Sequence, residues 1–238
     1  MRGRGITYDT GFLPGGRSSR ESFDPDTVRE EMRVIAGELH CTAVRITGGH
    51  PERLGVAARH AAEAGLEVWF SPFPCELTTG ELAPFFAECA ERAEELRRDG
   101  ARVVLVTGCE LSVFAAGFLP GETVAVTEFG TCAYTGAGAR GGMAWAIVDR
   151  GTRPPRLDGD YVRDEGEQVR YLRELLSVFE EEGVDTAFWF TFAGYEFPYH
   201  PDPRRDLDMA SYGVVRVLED GRREPKEVFG ALAAAYAG

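Results

Sequence analysis

Two glutamates stand just past strongly apolar runs. Val103-Val-Leu-Val-Thr-Gly-Cys-Glu110 and Thr123-Val-Ala-Val-Thr-Glu128-Phe-Gly share one pattern, a β-branched stretch followed by a carboxylate. A carboxylate is poorly suited to the end of a buried strand unless something compensates its desolvation. The C-terminal ends of parallel strands are also where barrel enzymes keep their chemistry. Two such carboxylates suit glycoside hydrolysis: one stays protonated as general acid, and the other stays ionised as nucleophile or base. Their separation sets the stereochemistry, at about 5–5.5 Å for retention and about 6.5–9.5 Å for inversion. The competing reading is that each glutamate solvates a strand end or pairs with an arginine such as Arg45.

The elements that must position this pair alternate in type. Short apolar runs near 5–9, 43–47, 66–71, 103–107, 123–127 and 187–191 predict strands. Between them lie helical patterns. Asp24-Pro25 opens the first, Pro51 the second, Thr78 the third and Tyr161 a fourth, and Pro225 to Tyr236 predicts a last one. Strand–helix alternation with right-handed crossovers predicts a parallel sheet covered by helices. No G-x-G-x-x-G follows the first strand and there is no Walker A lysine, so a TIM-barrel-like (β/α) fold is favoured over a nucleotide-binding sheet. Six parallel strands make that barrel incomplete, as a single domain over residues 1–238. The run from Thr131 to Asp160 is Gly- and Pro-rich and irregular, which predicts a functional or poorly ordered loop.

Composition narrows the partners. The 238 residues carry 26 Lys+Arg against 39 Asp+Glu, a net charge of −13, which argues against a nucleic-acid partner and an anionic membrane surface. A small-molecule or oligosaccharide substrate is expected instead. No apolar run approaches the length of a spanning helix and no leader is visible, so a cytoplasmic protein is expected. The five cysteines are scattered, with neither C-x-x-C nor zinc-type spacing, and predict free thiols. No cofactor and no metal site are called for by any His/carboxylate spacing.

Other rim residues have two readings each. Asp9 ends the first strand and could bond a sugar hydroxyl or cap the turn before Gly11. Trp189 alternates with Phe188 and Phe190, so it faces either a sugar or the core, where its indole N–H would need a partner. Tyr134, in the irregular run, could reach the site. Tyr195-Glu-Phe-Pro-Tyr-His200 should overhang it as a loop and bring Glu196 to the substrate.

These residues carry a resemblance. Thr107-Gly-Cys-Glu110 resembles the fourth-strand Asn-Glu signature of clan A glycoside hydrolases, and Val126-Thr-Glu128-Phe-Gly resembles their seventh-strand nucleophile motif. Arg45 and Trp189 sit where that clan often keeps a site arginine and a sugar-stacking tryptophan. From Gly5 onward the chain also resembles actinobacterial glycosidase-like barrel proteins often labelled abortive infection protein. The resemblance implies a retaining glycosidase acting on a β-linked glycoside, with Glu110 as acid/base and Glu128 as nucleophile. It equally allows an inactive barrel that binds carbohydrate or protein, and the label alone points to phage defence.

The sequence departs from the clan in two places. Cys109 stands where the clan usually has Asn. Between the glutamates only Leu111 to Glu122 intervene, 12 residues where two strand–helix units of about 30 each are expected. If the flanking strands became neighbours they would lie about 4.8 Å apart and the carboxylates could still meet. Three accounts fit the gap: a natural deletion that weakens the barrel, a homodimer in which a second copy covers the open sheet edges, or an internally deleted version of a longer protein.

Overall fold

The computed structural model describes residues 1–13, 16–75, 77–106 and 125–238. Two compact units emerge, one of Met1–Thr127 with Val184–Phe188 and one of Glu128–Gly183 with Trp189–Gly238. In chain order the strands and helices are β1 (Gly3–Asp9), α1 (Pro25–Gly37), β2 (Ala43–Gly48), α2 (Pro51–Glu63), β3 (Glu67–Pro72), α3 (Thr79–Arg98), β4 (Val103–Leu105) and β5 (Ala125–Phe129). There follow β6 (Val148–Asp149), β7 (Arg156–Leu157), α4 (Glu165–Glu181), β8 (Thr186–Trp189), β9 (Ala193–Tyr199), β10 (Val215–Leu218), β11 (Arg223–Pro225) and α5 (Glu227–Ala237).

Local chemistry explains the first unit. The Asp24 carboxylate accepts the Thr27 N–H at 3.0 Å and Pro25 takes the first helical position, so α1 starts there. Its face of Val28, Met32 and Ile35 is fully buried, as are Leu54, Ala57, Ala58 and Ala61 of α2. Thr78 and Glu81 close a capping box at the start of α3. Gly65 and Gly100 follow the ends of α2 and α3 with φ of +83° and +93°, a conformation that costs a side-chain-bearing residue energy. Only the C-terminal half of α3 is well buried, through Cys89, Ala93 and Leu96, while Leu82, Phe85 and Phe86 are half-buried.

The main sheet is six-stranded and parallel, in the order β4-β3-β2-β1-β8-β5. That is the cyclic order of a (β/α) barrel. Sequence neighbours pair, the last strand returns to β1, and the strand before it lies outside the last. A doubly wound sheet would instead lay later strands outward from β1 in ascending order. The sheet also curls. Arg45 Nη1 on β2 donates to the Thr127 carbonyl on β5 at 3.4 Å, although three inter-strand steps, about 14 Å if flat, separate the two. The fold is an incomplete TIM barrel with six strands, as expected from the alternation.

Among the described residues β4 and β5 are the two outer strands of this sheet, so the strands flanking the short gap do not become neighbours. The twelve-residue crossover expected for them, Leu111 to Glu122, lies outside the described residues. Val104 is 36% exposed, because an edge strand lacks the cover that the apolar run of β4 predicts.

The second unit contains what periodicity missed. The run from Thr131 to Asp160 is built around its own buried cluster of Cys132, Tyr134, Ala137, Ala144, Ile147 and Leu157, closed by Leu207, Met209 and Ala210. It holds a 3₁₀ turn at Gly138–Met143 and the small β6–β7 ladder. Residues Tyr195–Tyr199 are not a loop: they form β9, which pairs parallel with β10, and β10 pairs antiparallel with β11. Helix α4 starts four residues later than Tyr161 predicts, because Arg163 is held in a bridge to Tyr134 and the Asp164 N–H bonds the Ala133 carbonyl. Beside it lies an ionic network. Arg163 bonds Asp206 at 2.8 Å and Asp208 at 2.7 Å, and the sole lysine of the chain, Lys226, pairs with Asp208 at 3.2 Å while fully buried. No helix among the described residues is long and apolar enough to cross a membrane.

Candidate active site

Glu128 is set by the strand that carries it. Phe129 is buried and packs edge-on against Phe179 of α4 at 5.1 Å and against Trp189 at 5.4 Å. Successive side chains of a strand point to opposite faces, so Glu128 lies on the side of β5 away from that helix, and it is exposed. The backbone beyond it is fixed. The Phe190 N–H donates to the Phe129 carbonyl at 2.8 Å, and a Cβ at Gly130 would stand 2.4 Å from the Phe190 carbonyl oxygen. Only glycine permits that approach, so the residues following Glu128 serve to pin its strand end.

Trp189 has the opposite orientation. On β8 it is Phe188 that packs against Trp69, at 4.9 Å, and fills the space left by the absent side chain of Gly5. Trp69 pairs in register with Arg45, which places Phe188 on the inner face of the curled sheet. Trp189 therefore points outward, is fully buried against Phe129, and donates its indole N–H to the Tyr212 carbonyl at 3.2 Å. Of its two readings the structure takes the core one. The partner its indole needed is a backbone carbonyl that sequence could not foresee.

In the first unit the C-terminal end of the sheet carries a polar row. Thr7 pairs in register with Arg45 and Asp9 with Thr47, while Arg45 and Thr47 pair with Trp69 and Ser71. Thr7, Arg45, Thr47 and Ser71 are all buried. Barrel interiors are ordinarily packed with bulky branched side chains, so a polar layer at this end has the character of a site. Arg45 donates from Nε to Ser71 Oγ at 3.1 Å as well as to Thr127. Hydroxyl and carbonyl oxygens hold this buried guanidinium in one orientation. Thr47 Oγ1 is buried with no hydrogen-bond partner among the described residues. Asp9 accepts the Gly11 N–H at 2.6 Å and the Ser19 hydroxyl at 3.1 Å, the turn-capping role. The repeated polar-x-polar endings, Thr7-x-Asp9 and Arg45-x-Thr47, were the sequence signal for this layer.

The remaining candidates are in the second unit. Tyr134 is buried in the irregular segment's cluster, and its hydroxyl donates to the Ala144 carbonyl at 2.9 Å. Burial raises its pKa, and its role there is packing. Glu196 is on β9, where it pairs with Arg150 at 2.8 Å. Glu110, with Cys109 and the rest of the gap, lies outside the described residues.

No family model matches this chain, and no curated protein does. A solved structure titled "Crystal structure of ScGas2 in complex with compound 8" aligns with a TM-score of 0.39 and 11% identity, over 99% of this chain and 63% of that one. A likeness of that degree transfers neither substrate nor activity.

Proposed function

We propose that this chain is a retaining glycoside hydrolase acting on a β-linked glycoside, with Glu128 as nucleophile and Glu110 as acid/base. One observation carries the reading: Glu128 is an exposed carboxylate at the C-terminal end of the penultimate barrel strand, turned away from the Phe129–Phe179 packing on a backbone pinned at Gly130. In this mechanism Glu128 attacks the anomeric carbon as the glycosidic C–O bond breaks. Glu110 donates its proton to the departing oxygen, then removes one from the water that releases the sugar from Glu128. The buried, hydrogen-bonded Arg45 supplies a fixed positive charge within the first unit.

A second reading has its own support. Among the described residues the barrel has six strands, and a complete barrel draws its site from the ends of several of its eight. An incomplete barrel can bind carbohydrate without turning it over. Hydrolysis of a panel of activated aryl β-glycosides separates the two. The enzyme reading predicts turnover by the wild type that falls by at least about 10²-fold in both Glu128→Gln and Glu110→Gln. Absence of turnover across the panel, with sugar binding retained, establishes the binding module instead.

A further inference from the structure

We propose that Ser71 is a positioning residue for Glu128: its hydroxyl orients the Arg45 guanidinium, which in turn holds the peptide group that leads into the glutamate. The inference rests on the glycosidase reading above and adds a residue to that site. Ser71 stands on β3, is buried, and accepts the Arg45 Nε–H at 3.1 Å. Arg45, itself buried, donates from Nη1 to the Thr127 carbonyl at 3.4 Å. Ser71, Arg45 and Thr127 all belong to the first unit, and Glu128 is the next residue of the chain.

Two planar groups carry the restraint. A guanidinium is planar and rigid, so a bond at Nε fixes the direction in which Nη1 points. Removing the hydroxyl leaves a buried charged donor without that acceptor, which costs free energy until the guanidinium turns. A peptide group is planar too, so the Thr127 carbonyl, the Glu128 N–H and the Glu128 Cα lie in one plane. Turning that carbonyl turns the backbone from which the carboxylate side chain leaves.

The strand has need of such a tie. Among the described residues β5 is an outer strand of its sheet, with a ladder on one flank. After Glu128 the Phe190 N–H holds the Phe129 carbonyl at 2.8 Å, and before it Arg45 holds Thr127. The glutamate therefore sits between two held carbonyls. Precision of this kind matters to a nucleophile, since a misplacement of about 1 Å can cost about 10²-fold in rate. The neighbouring hydroxyl does not share the role. Thr47 pairs in register with Ser71, yet its Oγ1 makes no hydrogen bond among the described residues.

The test compares Ser71→Ala and Ser71→Thr in the full chain, alone and combined with Arg45→Met, by two readouts. The first is hydrogen exchange of peptides covering β5, which needs no turnover. Ser71→Ala should speed exchange there about tenfold with β1 unchanged, Ser71→Thr should restore it, and Ser71→Ala should add nothing to Arg45→Met. The second is hydrolysis of the activated aryl β-glycosides. Ser71→Ala should lower kcat about tenfold at nearly constant KM, again with rescue by Ser71→Thr. Unchanged exchange over β5 in Ser71→Ala, or an effect that persists undiminished beside Arg45→Met, overturns the proposal. A loss carried by KM instead of kcat does the same. A wild type that hydrolyses nothing while β5 still loosens in Ser71→Ala sinks the catalytic reading and leaves the clamp standing.

Discussion

The two units bury charge in contrasting ways. In the first, Tyr8, Arg20 and Glu31 form a buried group within one strand–loop–helix stretch, with Arg20 bonded to the Tyr8 hydroxyl at 2.8 Å and to Glu31 at 3.1 Å. In the second, Arg163 reaches Asp206 and Asp208, 43 and 45 residues away, and Lys226 comes from the N-terminal end of another helix. Arg163 and Arg216 also flank the Tyr199 ring at 5.2 and 4.8 Å. The Tyr8–Arg20–Glu31 group is thus closed within one strand–helix unit, whereas the Arg163 network forms only when distant segments meet. Parallel βα units bury their faces locally, whereas an irregular segment needs polar cross-links to fix where it lies.

The largest expected effect falls on the second unit. Arg163→Met leaves Asp206 buried without its cation and Asp208 with Lys226 alone, at a cost of about 3–5 kcal/mol. Hydrogen exchange read by peptide mass should show lost protection across α4, β9 and β10 with β1 to β3 unchanged; equal loss in both units would break the contrast. Arg20→Met should do the reverse, loosening α1 and β1 at about 3 kcal/mol while the second unit keeps its protection.

Acid sharpens the contrast further. Burial pushes the Glu165 carboxyl up, but the Glu227 N–H and Arg163 outweigh it and hold the pKa below the usual value. Burial likewise opposes the Trp69 and Arg2 contacts that lower Glu67. A depressed carboxylate contributes stability that is full above its unfolded pKa, about 4.3, and lost as pH falls through its folded pKa. Asp206 is shifted the other way, raised by burial against Arg163, so the folded state takes its proton more readily than the unfolded one and gains stability from it as pH falls. Chemical denaturation between pH 7 and 3 should therefore show the first unit losing stability more steeply than the second, where Asp206 offsets the loss at Glu165. Glu67→Gln should flatten the acid response of the first unit alone. The smallest effect is a packing control: Ile35→Val in α1 should cost about 1 kcal/mol, confined to the first unit.

Legibility in sequence follows the same division. The strands and caps of the first unit were written locally, in Asp24-Pro25, in Gly65 and in the β-branched runs, and six parallel strands followed from them, though not their order. The position of Glu128 was legible too, since it needs only a strand end. Trp189 was ambiguous because alternation gives two faces without saying which is inner, and Gly5, Phe188 and Trp69 decide that across three strands. Strand β9 was hidden because Phe197-Pro198-Tyr199 has the composition of a loop and gains strand character only by pairing with β10. Lys226 stood out as the sole lysine, yet nothing near it in sequence announces Asp208.

The central claim is that Glu128 acts as the nucleophile of a glycosidase. The most direct measurement incubates the wild-type chain with activated 2-deoxy-2-fluoro β-glycosides, which slow release of the glycosyl group from the enzyme, and locates any adduct by peptide mass. The account predicts a single glycosyl ester on the peptide containing Glu128, absent from Glu128→Gln. An adduct on another carboxylate, or none from any sugar in the series, contradicts it.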